Sequence, residues 1–269
     1  MYPRLTIIFL FIIVFIPQQL RAQGEGNDRV QTPGQLWTEA LISARINKKW
    51  VAKLDLFWSL SSDKEDKNNI VKHPINYGIR AGAHYFLKPK FRLTPTIGYW
   101  YNMEVPAINQ KPQWEIRPAL DAQVFRVFGR FTLFNRLRYE SRFIKELETN
   151  KNSHEFRLRY MPKIFIAING KVIRERTFYA ILSDEIFIIP GDEVFINQNR
   201  FTMGLGYCFT NNFTLETAWM KRLSNAKNQP DIINEVFSLS CTFNNFLQHF
   251  NANTSKPKKS DLGTNDLKK

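Results

Sequence analysis

From Phe131 to Phe143 the chain reads FTLFNRLRYESRF, which puts Arg136, Arg138, Glu140 and Arg142 on one parity and Leu133, Leu137 and Tyr139 on the other. Successive side chains of a β-strand point to opposite faces, so the pattern predicts a strand with one charged and one apolar face. The alternation recurs in segments of about ten residues, the length of a membrane-spanning strand. Eleven are legible: Leu36 to Ile46, Trp50 to Leu60, Ile75 to Leu87, Phe91 to Tyr101, Trp114 to Phe125, Arg130 to Phe143, Glu155 to Ile168, Val172 to Ile188, Asn199 to Phe209, Thr214 to Leu223 and Asn234 to Phe243. Their connections alternate in length. Asn47-Lys48-Lys49, Lys88-Pro89-Lys90, Phe128-Gly129, Asn169-Gly170 and Asn211-Asn212 are tight, and Asn-Gly is the strongest hairpin signal of the set. Longer polar runs occupy 61–74, 102–113, 144–154, 189–198 and 224–233.

Outward faces follow from the parity. Trp50, Leu54, Leu56 and Trp58 share one, Tyr77, Ile79, Ala81, Ala83 and Tyr85 another, and Phe91, Leu93, Ile97, Tyr99 and Tyr101 a third. Aromatics at the ends with aliphatics between them suggest the two girdles of a barrel wall. A soluble β-sandwich also alternates, but it packs its apolar faces on each other. Here the polar faces carry the unusual chemistry: Arg80, Arg92, Glu115, Arg117, Asp121, Arg130, Arg136, Arg138, Glu140, Arg142, Glu155, Arg157, Arg159, Glu185, Arg200, Glu216 and Arg222 would converge inside a closed barrel. The expected fold class is therefore all-β, an antiparallel transmembrane β-barrel of about 10–12 strands with short periplasmic turns and longer extracellular loops. Eleven is odd, whereas bacterial single-chain barrels normally have an even number. Periplasmic turns would also start the first strand outside, so one segment is expected to be miscounted.

The N-terminus sets the compartment. Arg4, the apolar run Ile7 to Ile16, and Leu20-Arg21-Ala22 before Gln23 resemble a cleavable signal peptide over residues 1–22. A ten-residue helix rises only about 15 Å, half of a hydrocarbon core, which disfavours an anchor. A short polar segment (23–34), the barrel (35–246) and a disordered basic tail (247–269) with Lys256, Lys258, Lys259, Lys268 and Lys269 would follow. The formal charge of +14 falls to +12 without Arg4 and Arg21, and the mean hydropathy is -0.34. For an exported protein, that charge points to lipopolysaccharide phosphates, anionic lipids or anionic solutes before nucleic acid. Cys208 and Cys241 fall on opposite parities, which disfavours a disulfide, and His73, His84, His154 and His249 show no metal-ligand spacing. No cofactor or metal is expected.

Several blocks together resemble a known family. Phe134-Asn135-Arg136-Leu137-Arg138-Tyr139-Glu140-Ser141-Arg142-Phe143, Arg157-Leu158-Arg159-Tyr160, Asp184-Glu185-Ile186-Phe187, Gln198-Asn199-Arg200-Phe201 and Gly204-Leu205-Gly206-Tyr207 come in the order seen in the DUF2490 family. The resemblance runs from about Trp37 to Phe243. It implies an exported outer-membrane β-barrel of Gram-negative bacteria, of a kind common in Bacteroidota, with no assigned activity.

Function then turns on the charged faces. The expected lumen cluster is Arg117, Arg136, Arg138, Glu140, Arg142, Arg157, Arg159, Glu185, Arg200 and Glu216. Unpaired charges are costly in a partly dehydrated lumen, so Arg138, Arg157, Arg159 and Arg200 should pair with Glu140, Glu185 and Glu216. One reading is a narrow pore for small or anionic solutes, because rings of Arg favour anions. The other is a non-conducting structural or ligand-binding barrel locked by ion pairs, since barrels of about eight strands are filled by side chains. A lipid-modifying enzyme is the third, with Ser153, His154 and Glu155 as its nearest candidates; adjacent strand residues face opposite sides, so no enzyme is expected. The expected partners are outer-membrane lipid and lipopolysaccharide, the barrel-insertion machinery and a small anionic solute. Nucleic acid is not expected, and the chain should be a monomer.

Overall fold

The computed structural model describes residues 29–245 apart from 64, 67–68, 109, 192–195 and 226–230. The expected signal peptide and basic tail, with His249, lie outside the described residues. The alternating segments become β2 (Gln35–Arg45), β3 (Trp50–Ser61), β4 (His73–Lys88), β5 (Phe91–Asn102), β6 (Gln113–Phe128), β7 (Phe131–Glu146), β8 (Asn152–Ala167), β9 (Thr177–Ile188), β10 (Ile196–Thr210), β11 (Phe213–Ser224) and β12 (Asp231–Phe243), preceded by a short β1 (Arg29–Gln31).

Each strand from β2 to β12 pairs antiparallel with its sequence neighbours, and β12 closes the sheet on β2. Eleven up-and-down strands leave the first and last running the same way, so the seam must be parallel. It runs from Gln35↔Val236 to Ile42↔Phe243. β1 pairs parallel with the start of β12, from Arg29↔Asp231 to Gln31↔Ile233. Pro33, which has no N–H to give, then separates β1 from β2 on the same edge. The expectation of an even count and a miscounted segment is thus overturned. The count of eleven stands, and the sheet is mixed at one seam rather than antiparallel throughout. β2 does start at the rim of the longer loops, and β12 ends at the rim of the short turns.

One tight turn also fails. β9 begins at Thr177 rather than Val172, and nine residues separate it from β8. A type I′ hairpin needs positive φ at both central residues; here Arg176 takes the positive φ of 58° and Gly170 does not. Asn169 instead accepts a hydrogen bond from the Phe178 N–H at 2.8 Å. Ile173 is thereby free to pack against the inward cluster of Tyr179, Ile181 and Cys208, joined by Phe165. Ile173 is the apolar side chain that this connection brings, partly buried, against the inward cluster at the short-turn rim.

Burial is inverted relative to a soluble domain. Among the described residues, eight hydrophobic residues are buried against 20 polar or charged ones, while large apolar side chains such as Ile97, Leu137, Leu205 and Phe237 stand exposed. An aromatic row runs along the short-turn rim from Phe178 through Tyr207, Phe209 and Phe213 to Phe243, with ring centroids 4.3–5.3 Å apart. Tyr77 and Tyr101, and Tyr139 and Phe156, stack toward the opposite rim. The sandwich alternative is excluded by the closed topology.

Inside, glycine admits aromatic rings against the wall. A Cβ at Gly98 would lie 2.1 Å from the Trp100 ring, and one at Gly206 2.2 Å from that of Tyr179. Tyr179 is held there by donating its hydroxyl to Glu216 at 2.7 Å.

Candidate functional site

The inward residues of β6 to β9 form two linked tiers of ion pairs. Strand alternation puts them all on one face, and register brings opposite charges together: Glu140 lies across from Arg157, Arg142 from Glu155, and Asp121 from Arg138. One rung breaks the rule, since Arg138 faces Arg159. Like charges directly opposite destabilise a sheet unless each finds its own partner. Arg138 does so in a two-pronged contact to Asp121, at 2.5 and 2.9 Å. Arg159 reaches Glu185 at 2.9 Å and Glu140 at 3.2 Å.

The inner tier continues from there. Glu140, only 2 % exposed, also accepts from Arg157, and Glu185 accepts from Arg136 at 2.5 Å. In the outer tier, nearer the long loops, Glu115 is wholly buried and holds two guanidiniums. Arg117 donates to it at 2.5 and 2.6 Å, and Arg142 at 2.5 and 2.9 Å. Glu155 accepts from Arg142 at 2.9 Å and lies 3.7 Å from Arg157, which joins the tiers. On the other flank Asp55, 1 % exposed, takes Arg80 and Lys53 at 2.7 Å each. Bidentate pairing of this kind satisfies most of the hydrogen-bonding capacity that burial would otherwise strand.

Eight of the ten expected cluster residues thus meet in one lattice: Arg117, Arg136, Arg138, Glu140, Arg142, Arg157, Arg159 and Glu185. Two do not. Glu216 stands apart toward the short-turn rim, with the Tyr179 hydroxyl and with Lys163 at 3.7 Å. Arg200 lies beside the lattice without an ion pair among the described residues, because Arg136 and Arg159 already occupy Glu185. The expected Arg200 pairing is therefore corrected. Arg130 sits exposed in the β6–β7 turn, not in the lumen. The essential acids Glu115 and Asp121 were in the wider inward set but not in the expected cluster. Asp55 and Lys53 were missed, although parity within β3 marks both as inward.

Aromatic rings complete the interior. Phe187 has no exposed surface, and the guanidinium carbons of Arg157, Arg159 and Arg200 lie 5.4, 4.4 and 4.4 Å from its ring centre. Arg117 sits 4.1 Å over Trp100. Delocalised guanidinium groups are favourable against ring faces, so these contacts add to the ion pairs of Arg117, Arg157 and Arg159 and give Arg200 an aromatic neighbour.

His154 is arranged differently from the expected Ser153-His154-Glu155 group. Its Nε2 is 2.7 Å from the Ser141 hydroxyl on the outer face, and its ring stacks on Phe143 at 4.4 Å. Glu155 points inward to Arg142. Cys208 and Cys241 are free thiols, and no metal-ligating group occurs among the described residues.

A family model described as "Protein of unknown function (DUF2490)" matches residues 34–232. Comparison with curated proteins gives no match. Among solved structures, a chain described as the CymD monoaromatic hydrocarbon channel is similar, at 10% identity and a TM-score of 0.37, over 68% of this chain and 66% of that one. The match thus spans just under two thirds of that channel's length.

Proposed function

The chain belongs to the DUF2490 family, and from that premise we propose that it is an outer-membrane barrel whose lumen is closed to ion flow and serves to bind rather than to conduct. The observation that carries this reading is the inverted burial: charges inside, a belt of exposed apolar and aromatic side chains outside. Soluble monomers rarely expose contiguous apolar surface of this extent, whereas a barrel wall in lipid requires it. Lipid and lipopolysaccharide would contact the belt, and the barrel-insertion machinery would deliver the chain to it. The short turns would face the periplasm.

Closure is supported at two levels. The ion-pair lattice and Phe187 are buried at mid-depth, and Tyr179 and Ile181 are buried near the short-turn rim with Ile173 and Phe165 packed partly buried against them. Channels with clear aqueous lumens are built from about sixteen or more strands. Fractionation of the cell envelope tests the membrane assignment: the protein should sediment with the outer membrane as a heat-modifiable monomer. Recovery in the soluble periplasmic fraction would remove the basis of the proposal.

A further inference from the structure

Arg200 and Arg222 are the one pair of facing cations in the described lumen in which neither member makes an ion pair with a described residue. They lie directly opposite each other on β10 and β11, a pairing of like charges that destabilises a sheet unless something neutralises it. Neither makes an ion pair among the described residues. Arg222 donates Nε and one terminal nitrogen to a single neutral acceptor, the Asn234 amide oxygen, at 3.0 and 2.7 Å. Arg200 donates to no described residue, and its buried Nε is without a partner among them. Glu185, across the sheet from Arg200, is already taken by Arg136 and Arg159.

The two guanidiniums are nevertheless well placed. Arg200 lies between Phe187 and Trp37, at 4.4 and 5.2 Å from their ring centres, and Arg222 lies 5.7 Å from that of Trp37. Trp37 is itself anchored by donating its indole N–H to Gln35 at 2.9 Å. Rings that occupy guanidinium faces leave the N–H edges as the groups still able to bind. Edge-on presentation of N–H donors is the geometry that takes the oxygens of a carboxylate or phosphate. Both residues lie near the long-loop ends of their strands, which places them toward that rim.

We propose that Arg200 and Arg222, backed by Trp37 and Phe187, form a binding site for a small oxyanion solute carrying a phosphate or carboxylate group. The site rests on the reading of the barrel as a closed binding vessel and names what that vessel takes. Its anion would supply the charge that the lattice does not, since the lattice acids are engaged by their own partners. Arg92, another inward cation without an ion pair among the described residues, is no equivalent site: its Nε donates to Gln123 at 2.6 Å, and the residues facing it across the sheet are Phe86 and Gln123.

The test is calorimetric titration of the purified, heat-modifiable full-length barrel in low-chloride buffer, with inorganic phosphate in one arm and succinate in the other. Saturable binding in either arm is expected, identifying which oxygen chemistry the site prefers. Arg200→Gln, Arg222→Gln and the double variant should weaken it by about tenfold or more, and Arg92→Gln should leave it unchanged. Thermal unfolding separates a ligand site from a structural role. Without ligand, Arg200→Gln should be at least as stable as the wild type, because it removes an uncompensated buried charge, and it should lose the stabilisation that ligand gives the wild type. Destabilisation of Arg200→Gln together with no binding in either arm would overturn the site, as would binding that survives in the double variant. If neither anion binds while the barrel blocks ion flow in a bilayer, the site fails and the closed-barrel reading stands. If both anions bind but the barrel conducts, the reverse holds.

Discussion

Glu140→Gln probes the lattice where it is most concentrated. The substitution keeps the size of the side chain and removes one negative charge from a position only 2 % exposed. Three guanidiniums surround it: those of Arg157 and Arg159 in contact, and that of Arg138 at 3.8 Å. Arg138 would keep Asp121, and Arg159 would keep Glu185. Arg157 would retain only Glu155, at 3.7 Å. Removing one partner of a buried ion pair costs about 3–5 kcal/mol, and because Arg138 and Arg159 keep an acid in hydrogen-bonding contact while Arg157 keeps only the more distant Glu155, the expected loss lies near the lower end, about 3 kcal/mol. Equilibrium unfolding in denaturant, followed by the barrel's heat-modifiable mobility, should show a lower midpoint with an unchanged slope. Glu104→Gln, at an exposed loop position, should stay within about 0.5 kcal/mol of the wild type. The pair Glu140→Leu with Arg157→Met should recover much of the loss, since apolar replacement of a whole buried pair is often neutral. A Glu140→Gln barrel as stable as the wild type would refute the view that these charges are dehydrated and mutually dependent.

Gly206→Ala should cost about 1–3 kcal/mol in the same unfolding assay, because its methyl group would enter the Tyr179 ring and disturb the hydrogen bond to Glu216; an unchanged midpoint would mean that the ring does not lie against this strand. Lys72 at the end of the β3–β4 loop and His73 at the start of β4 donate to Asp63 and hold its carboxyl below the ordinary value of 3.8. A depressed folded value means the contact is present above the ordinary carboxylate range and lost as pH falls through that lower value, so protection of the Lys72 amide, which donates to the Asn69 carbonyl, should persist at pH 5 and drop under strongly acidic conditions. Asp63→Asn should show the reduced protection at every pH, and added salt should weaken the wild-type effect. His154 faces Ser141 on the outer wall while Glu155 points inward to Arg142, so the expected Ser153-His154-Glu155 group is not assembled and Ser153→Ala should leave any turnover of phospholipid or lipid A unchanged; turnover abolished by Ser141→Ala would establish an enzyme built on Ser141 and His154 instead.

Much of the wall was legible because strand alternation has a period of two and survives any error in segment ends. The side that Arg136, Arg138, Glu140 and Arg142 face is fixed by parity alone. Pairings were harder, because they depend on the register between strands distant in sequence. Glu115 reaches Arg142 on the next strand, and Glu185 draws Arg136 from two strands away, so neither partner could be chosen from spacing. Arg200 shows the limit clearly: parity places it inward beside Glu185, yet two other guanidiniums reach that carboxylate first. The Asn169-Gly170 signal was overridden by tertiary packing, since Ile173 packs partly buried against Tyr179, Ile181 and Cys208 rather than extending β9. The parallel seam was implicit in an odd number of strands, and only the prior for even-numbered barrels argued against it.

Ion flow across a planar bilayer tests the central claim most directly. The purified full-length barrel, inserted and shown by heat-modifiability to be folded, should give a silent membrane under moderate applied voltage. Variants that dismantle the lattice, such as Glu115→Ala with Glu140→Ala, should begin to flicker open. Steady, anion-selective current through the wild-type barrel, reduced by Arg138→Ala or Arg200→Ala, would contradict a closed lumen and make the charged interior a conducting constriction.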